Sequence, residues 1–153
     1  MCLSVAKLDA DELMQSLKKL ASPETFNAAL EKPLTDACLS VVADAKRNCP
    51  VEDGTLRNSI TYSVEEEADG NLAGYVGSNL DYAPYVHQGT GIYALEGNGR
   101  KQVPWTYYSE KDGKFHSTSG LKPTPFLQDA IDNEKDNIIQ YFNQFIAELG
   151  RKL

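Results

Sequence analysis

The sequence predicts an α+β fold, with N-terminal helices and a long C-terminal helix packed on a small antiparallel sheet. Three observations predict it. Apolar residues recur every three or four positions across residues 23–48 and again across 125–149. Between those stretches the pattern changes to period two over residues 60–78, interrupted by the turn residues Asp69-Gly70-Asn71. The order is helix, strands, helix, which suits α+β rather than alternating α/β.

A chain of 153 residues suits one domain covering all of 1–153. With 41% hydrophobic residues it can build a core without staples. A net charge of −7 repels nucleic-acid backbones and acidic membranes. No apolar run approaches the roughly 20 residues that cross a bilayer. Residues 1–6 lack the basic start of a signal peptide, so the expected compartment is a cytoplasm. Of the three cysteines, Cys2, Cys38 and Cys49, the last two lie roughly 16 Å apart if helical. That is too far for a disulfide, and both read as buried thiols.

Taken in order, residues 9–20 read as a first helix with Leu13, Leu17 and Leu20 on its apolar face and Asp9 or Asp11 at its cap. Residues 1–25 form an N-terminal helical extension. Ser22 is an N-cap candidate with Pro23 at the first helical position. Pro33 is expected to kink or restart this helix, and Pro50 ends it. Residues 50–60 read as a connector turning at Asp53-Gly54, with Leu56 plugged back onto the helix. Ile60, Tyr62 and Val64 then share one strand face, and residues 72–78 return.

The stretch from Gly74 to Gly91 organises the chain. Tyr82, Tyr85 and Val86 have helical spacing, which predicts one inward aromatic face on a single turn. Pro84 is expected to limit that turn, and Gly89 and Gly91 to reverse the backbone. Residues 93–121 form a long polar segment. Val103–Tyr108 and Lys114–Ser117 around Asp112-Gly113 predict a second hairpin in a flexible insert. Thr124 and Pro125 are the expected cap and first residue of the last helix. Leu127, Ile131, Ile138, Phe142, Phe145, Ile146 and Leu149 form its stripe, and Gly150 is the expected C-cap.

Chemical signals are sparse. Gly89-Thr90-Gly91 has dinucleotide spacing but lacks the strand before and the helix after that the motif needs. Asp81 and His87 could form a carboxylate–imidazole pair of a small hydrolase-like enzyme. No nucleophile elbow or metal-ligand spacing accompanies them. Arg100 and Lys101 beside Trp105 could stack single-stranded nucleic acid. Tyr93, Arg100, Trp105, Tyr107, Tyr108 and Phe115 together read better as a contact surface, because aromatics in a polar, glycine-rich segment suit an interface. No cofactor is expected.

Three separated blocks resemble one family. Residues 45–60 resemble its A-K-x-x-x-P-V-D-T-G-x-L-R-x-S-I signature, matching at Pro50, Gly54, Leu56, Arg57 and Ser59. Residues 77–91 resemble its Y-A-x-Y-V-E-x-G-T block, matching at Tyr82, Ala83, Tyr85, Gly89 and Thr90. Residues 122–127 resemble its P-x-P-F-L entry to the final helix, matching at Pro125, Phe126 and Leu127. The family is that of phage tail-completion or head–tail joining (neck) proteins of the HK ninety-seven gene-product-ten type. The resemblance covers roughly residues 26–149. Glu52-Asp53 departs from the usual Asp-Thr, and His87 stands where an acid is common. The resemblance implies a non-enzymatic structural subunit of a tailed phage or prophage. Its partners would be itself, in a homo-oligomeric ring, and other tail or neck proteins, with no membrane and no specific nucleic acid. It would belong to the virion, assembled in the host cytoplasm.

Leu127→Asp or Phe142→Asp should unfold the domain, because a buried unpaired charge costs several kcal/mol, comparable with total stability. Thermal melting equal to the parent's would refute the assigned helix face.

Overall fold

The computed structural model describes residues 22–152. The expected helix at 9–20 and Cys2 lie outside the described residues. Helix α1 spans Pro23–Asn48. Ser22 caps it, its Oγ accepting from the Thr25 N–H at 3.3 Å, and Pro23 follows at the first turn. Pro33 does not restart the helix, which runs through it as one element. An internal proline sacrifices a hydrogen bond and crowds the preceding turn. Burial offsets this on both sides, with Phe26 and Leu30 before Pro33 and Leu34, Ala37, Cys38 and Val41 after it, all buried.

The expected connector contains a further turn of helix, α2, at Thr55–Ser59. Gly54 holds φ at 83° before it, and Asp53 Oδ1 accepts from the Thr55 N–H at 2.9 Å. Leu56 is buried, as its spacing predicts. Strands β1 (Thr61–Glu66) and β2 (Leu72–Gly77) form a two-stranded antiparallel sheet with Thr61 opposite Gly77 and Glu66 opposite Leu72. Ser59 and Ser78 tie the open end, their hydroxyls 2.7 Å apart.

Helix α3 spans Ala83–Gln88, and a single 3-10 turn follows at Gly91–Tyr93. A second hairpin joins β3 (Trp105–Ser109) to β4 (Lys114–Thr118), with Trp105 opposite Thr118 and Tyr108 opposite Phe115. Its strands start and stop within two residues of the expected ones. Helix α4 spans Phe126–Lys152. It begins one residue later than expected, with the Pro125 carbonyl accepting from the Asp129 N–H at 2.9 Å. Gly150 does not end it. The helix continues to Lys152, and Arg151 Nε donates to the Ala147 carbonyl in the last turn. Glycine in a helix weakens it but does not force it to stop.

Helices α1 and α4 pack along each other, and α1 lies on the β1–β2 sheet. The larger core cluster gathers Val41, Ala45, Leu56, Ile60, Val76, Phe126, Leu127 and Ile138. A second cluster closes the other end, where Phe26 meets Phe145 edge-on at 5.6 Å beside Leu30 and Leu149. Between the helices runs a polar seam with no counterpart in the apolar pattern. Asp44, 8% exposed, accepts from Arg47 at 2.7 Å, Asn48 at 2.7 Å and Asn133 of α4 at 2.9 Å. The bonds from Asn133 and Arg47 hold its carboxyl below the ordinary range. The Arg47 guanidinium also lies 3.6 Å from Glu134. The seam leaves no unpaired charge at the Asp44 crossing.

Among the described residues no helix is long and apolar enough to cross a membrane. Cys38 and Cys49 are free and buried, as expected, and burial pushes the Cys38 thiol up to about 11.

Gly74 of β2 sits directly over α1. A Cβ there would lie 2.5 Å from Cys38 Sγ and 3.1 Å from Leu34 Cδ1. Gly74→Ala should destabilise the fold by about 1–3 kcal/mol through overpacking. Combined with Cys38→Ala, which removes the opposing sulfur, the loss should fall short of the sum by about 1 kcal/mol. Strict additivity in urea denaturation would show that the sheet is free to move off the helix.

Candidate functional site

The three blocks singled out in the sequence converge on one place. An open cleft of about 480 Å³ is lined by residues 50–54 and Leu56 from the first block, by Tyr82 and Val86 from the second, and by Leu121, Lys122 and Thr124 at the third. Of its apolar members, Val51, Tyr82 and Leu121 are half-exposed, and Glu52 and Asp53 add negative charge at one wall.

The residues around it divide into those that build the cleft and those that face out of it. Leu56, Ala83, Phe126 and Leu127 are buried. Gly54 holds a left-handed φ, and Ser59 Oγ donates to the Leu56 carbonyl at 2.7 Å. Pro50 and Arg57 are exposed. The expected inward face holds for Val86, half-buried against the core, but not for Tyr82 and Tyr85. Tyr82 is 44% and Tyr85 60% exposed, while Ala83 and His87 point inward. Helical spacing identifies a shared face but not the side that the core lies on. Here the core side carries Phe126, whose ring meets His87 edge-on at 5.5 Å. Pro84 also acts differently from expectation. It stands at the opening of α3, where its missing N–H costs nothing.

Behind α3 the chain packs backbone against backbone. The Thr90 N–H donates to the Leu121 carbonyl at 2.9 Å, and Thr90 Oγ1 accepts from the Leu121 N–H at 2.8 Å. The Ile92 N–H reaches the Ser119 carbonyl at 3.2 Å, and the Thr124 N–H reaches the Val86 carbonyl at 2.9 Å. Gly89 has φ 77°, and a Cβ there would stand 2.9 Å from the Leu121 and Tyr93 carbonyl oxygens. Residues 119–121 thus pin the return end of the insert to the glycine turn.

The body of the insert is bare. Tyr107 stacks on His116 at 5.7 Å on one face of the β3–β4 hairpin, and Tyr108 meets Phe115 at 5.2 Å on the other. Tyr107, Tyr108 and Phe115 are 47%, 55% and 74% exposed. Neither strand packs extensively on another helix or strand among the described residues. Arg100 lies over the Trp105 ring at 5.3 Å, and Lys122 over the exposed Tyr93 ring at 6.0 Å. The Arg100 contact covers a Trp105 face on which a base would stack. At the tip, Lys111 forms an ion pair with Glu52, on the cleft wall.

Asp81 and His87 do not form the pair that an enzyme reading needs. Asp81 is exposed and His87 is 7% exposed, with Nδ1 lacking a hydrogen-bond partner. The acid whose charge reaches the ring is Asp129 of α4. Burial, the larger cause, holds the His87 pKa below its usual value. Among the described residues no group of His, Cys, Asp or Glu is placed to hold a metal ion.

Residues 11–89 match the model of a family described as "Bacteriophage HK97-gp10, putative tail-component". No curated protein and no solved structure matches the chain.

Because His87 is neutral in the fold and takes up a proton more readily once unfolded, the domain should lose stability as pH falls below about 6.5. The loss should level off only below the depressed folded pKa. His87→Phe should flatten this part of the profile. Parallel declines in melting temperature between pH 7.5 and 5 for parent and variant would assign the acid sensitivity elsewhere.

Proposed function

Because the chain belongs to the HK97-gp10 family of bacteriophage tail components, we propose that it is a structural subunit acting in tail completion or head–tail joining. It works by docking, as a homo-oligomeric ring and against other tail or neck proteins, in the virion and in the host cytoplasm during assembly. The observation that carries this reading is the β3–β4 hairpin, which bears aromatic pairs on both faces with Tyr107, Tyr108 and Phe115 exposed. An isolated two-stranded hairpin is marginal by itself. Covering it with a neighbour removes apolar area from water, at roughly 25 cal/mol per Å². Aromatic residues of this kind dominate interface energetics. The surface comprises Tyr93, Arg100, Trp105, Tyr107, Tyr108 and Phe115.

Such an interface is weak between two free chains and strong where a tail end presents several sites together. The converging motif blocks support the same reading. They build a shaped surface with an open mouth, lined by apolar residues beside Glu52 and Asp53.

Tyr108→Ser with Phe115→Ser removes one aromatic face while leaving the body of the domain untouched. The melting temperature should stay within about 3 °C of the parent's. Association with tail ends should be lost, and particles made with the variant should carry unjoined heads and tails. Normal assembly and full complementation by this variant would move the docking surface off the hairpin.

A further inference from the structure

The hairpin and the cleft are chemically matched, and the molecule already joins them at one point. Lys111, in the hairpin turn, pairs with Glu52, and its charge also reaches Asp53. Both carboxylates belong to the cleft wall. The pair links residues 59 positions apart, and both side chains are more than 70% exposed (75% and 81%). Contacts this solvated hold weakly and exchange readily. The Tyr108–Phe115 pair, one rung back from the Ser109–Lys114 rung at the hairpin end, gains no cover from the contact. The return strand rejoins the body through Leu121, itself a cleft-wall residue. The hairpin is therefore tethered at the same cleft its tip touches, and its aromatic rings stay outside.

A second molecule has no such tether. We propose that the cleft receives the hairpin tip of another copy of this chain. Lys111 exchanges its own Glu52 for the neighbour's, and Phe115 with Tyr108 enters the apolar part of the cleft between Val51, Tyr82 and Leu121. The inference rests on the self-assembly reading above and names the surface the hairpin meets. The ion pair is the same in the free and the assembled chain, so exchanging it costs little. The gain is the burial of rings that are 55% and 74% exposed in the free chain. A cleft of about 480 Å³ has room for them. Each copy offers a hairpin to one neighbour and a cleft to another. The contact is head-to-tail, and such contacts close into rings when the rotation between copies allows it.

The test uses two full-length chains, each also carrying Cys2→Ser. One bears Lys111→Cys and the other Glu52→Cys. They are mixed at a concentration at which the parent sediments as an oligomer, then mildly oxidised. The expected product is a disulfide-linked pair with one chain of each kind, reduced several-fold when Phe115→Ser is added to the Lys111→Cys chain. A second mixture uses charge reversal. Lys111→Glu and Glu52→Lys should each associate several-fold more weakly than the parent when alone, because each then presents like charges. Mixed in equal amounts, they should regain association, since every contact between unlike chains is again complementary. Oligomers without the mixed disulfide, or a charge-reversed mixture no better than its components, would overturn this interface and leave self-assembly standing. A parent that stays monomeric at every concentration and binds only other tail proteins would overturn both.

Discussion

The constraint on which the rest of this structure depends is the approach of backbone to backbone at Gly89, Gly91 and Gly120. Residues 89–92 and 119–121 run so close that no Cβ fits between them. The seam is held by hydrogen bonds from Thr90 and Ile92. Gly89, Gly91 and Gly120 all have positive φ, which other residues adopt at a cost. Three consequences follow from this one contact. It orients α3 so that Ala83 and His87 face the core. It brings the chain back beside its point of departure, so the insert leaves and returns as an arm. It also places Pro123 and Thr124 where Thr124 bonds Val86, which sets the start of α4 and seats Phe126 against His87.

The two hairpins show how packing rather than local chemistry decides what a strand pair is for. Both are antiparallel, two-stranded and turned by an Asp-Gly pair. Helix α1 covers β1–β2 so closely that Gly74 is the residue beneath Cys38. No described helix or strand packs extensively on β3–β4, although it carries the larger aromatic load. An apolar surface that the chain itself leaves open is one that a partner can close. The cleft is the complementary case, a concave apolar wall beside two carboxylates, built by segments far apart in sequence. The Lys111–Glu52 pair joins the two features.

Polar groups within the body serve a different end. Asp44, Arg47, Asn48 and Asn133 knit α1 to α4 where both helices turn partly polar inward faces to each other. Asp44 is the buried hub, and the Asn133 bond and the approach of Arg47 to Glu134 cross between the helices, so the seam fixes how they register. His87 differs, a buried ring whose Nδ1 has no partner, as Asn27 Oδ1 also has none. It packs by its faces and edges against Phe126, and a proton on it would be poorly accommodated.

What the sequence by itself determined is what depends on near neighbours along the chain. The α+β order, the Ser22 cap, the turns at Asp69-Gly70 and Asp112-Gly113, and the apolar stripe of the last helix all rest on periodicity, capping and backbone preference. These act within a few residues, so they are visible in the string. The family blocks were legible too, as spaced residue types. Tertiary structure alone decided the rest. It turned Tyr82 and Tyr85 outward, carried α1 through Pro33 and α4 through Gly150, and added a helical turn to the connector. It brought three distant blocks to one cleft and set Lys111 against Glu52. Each of these depends on a group tens of residues away. Periodicity states which residues share a face, but only the packed neighbour states whether that face is inside.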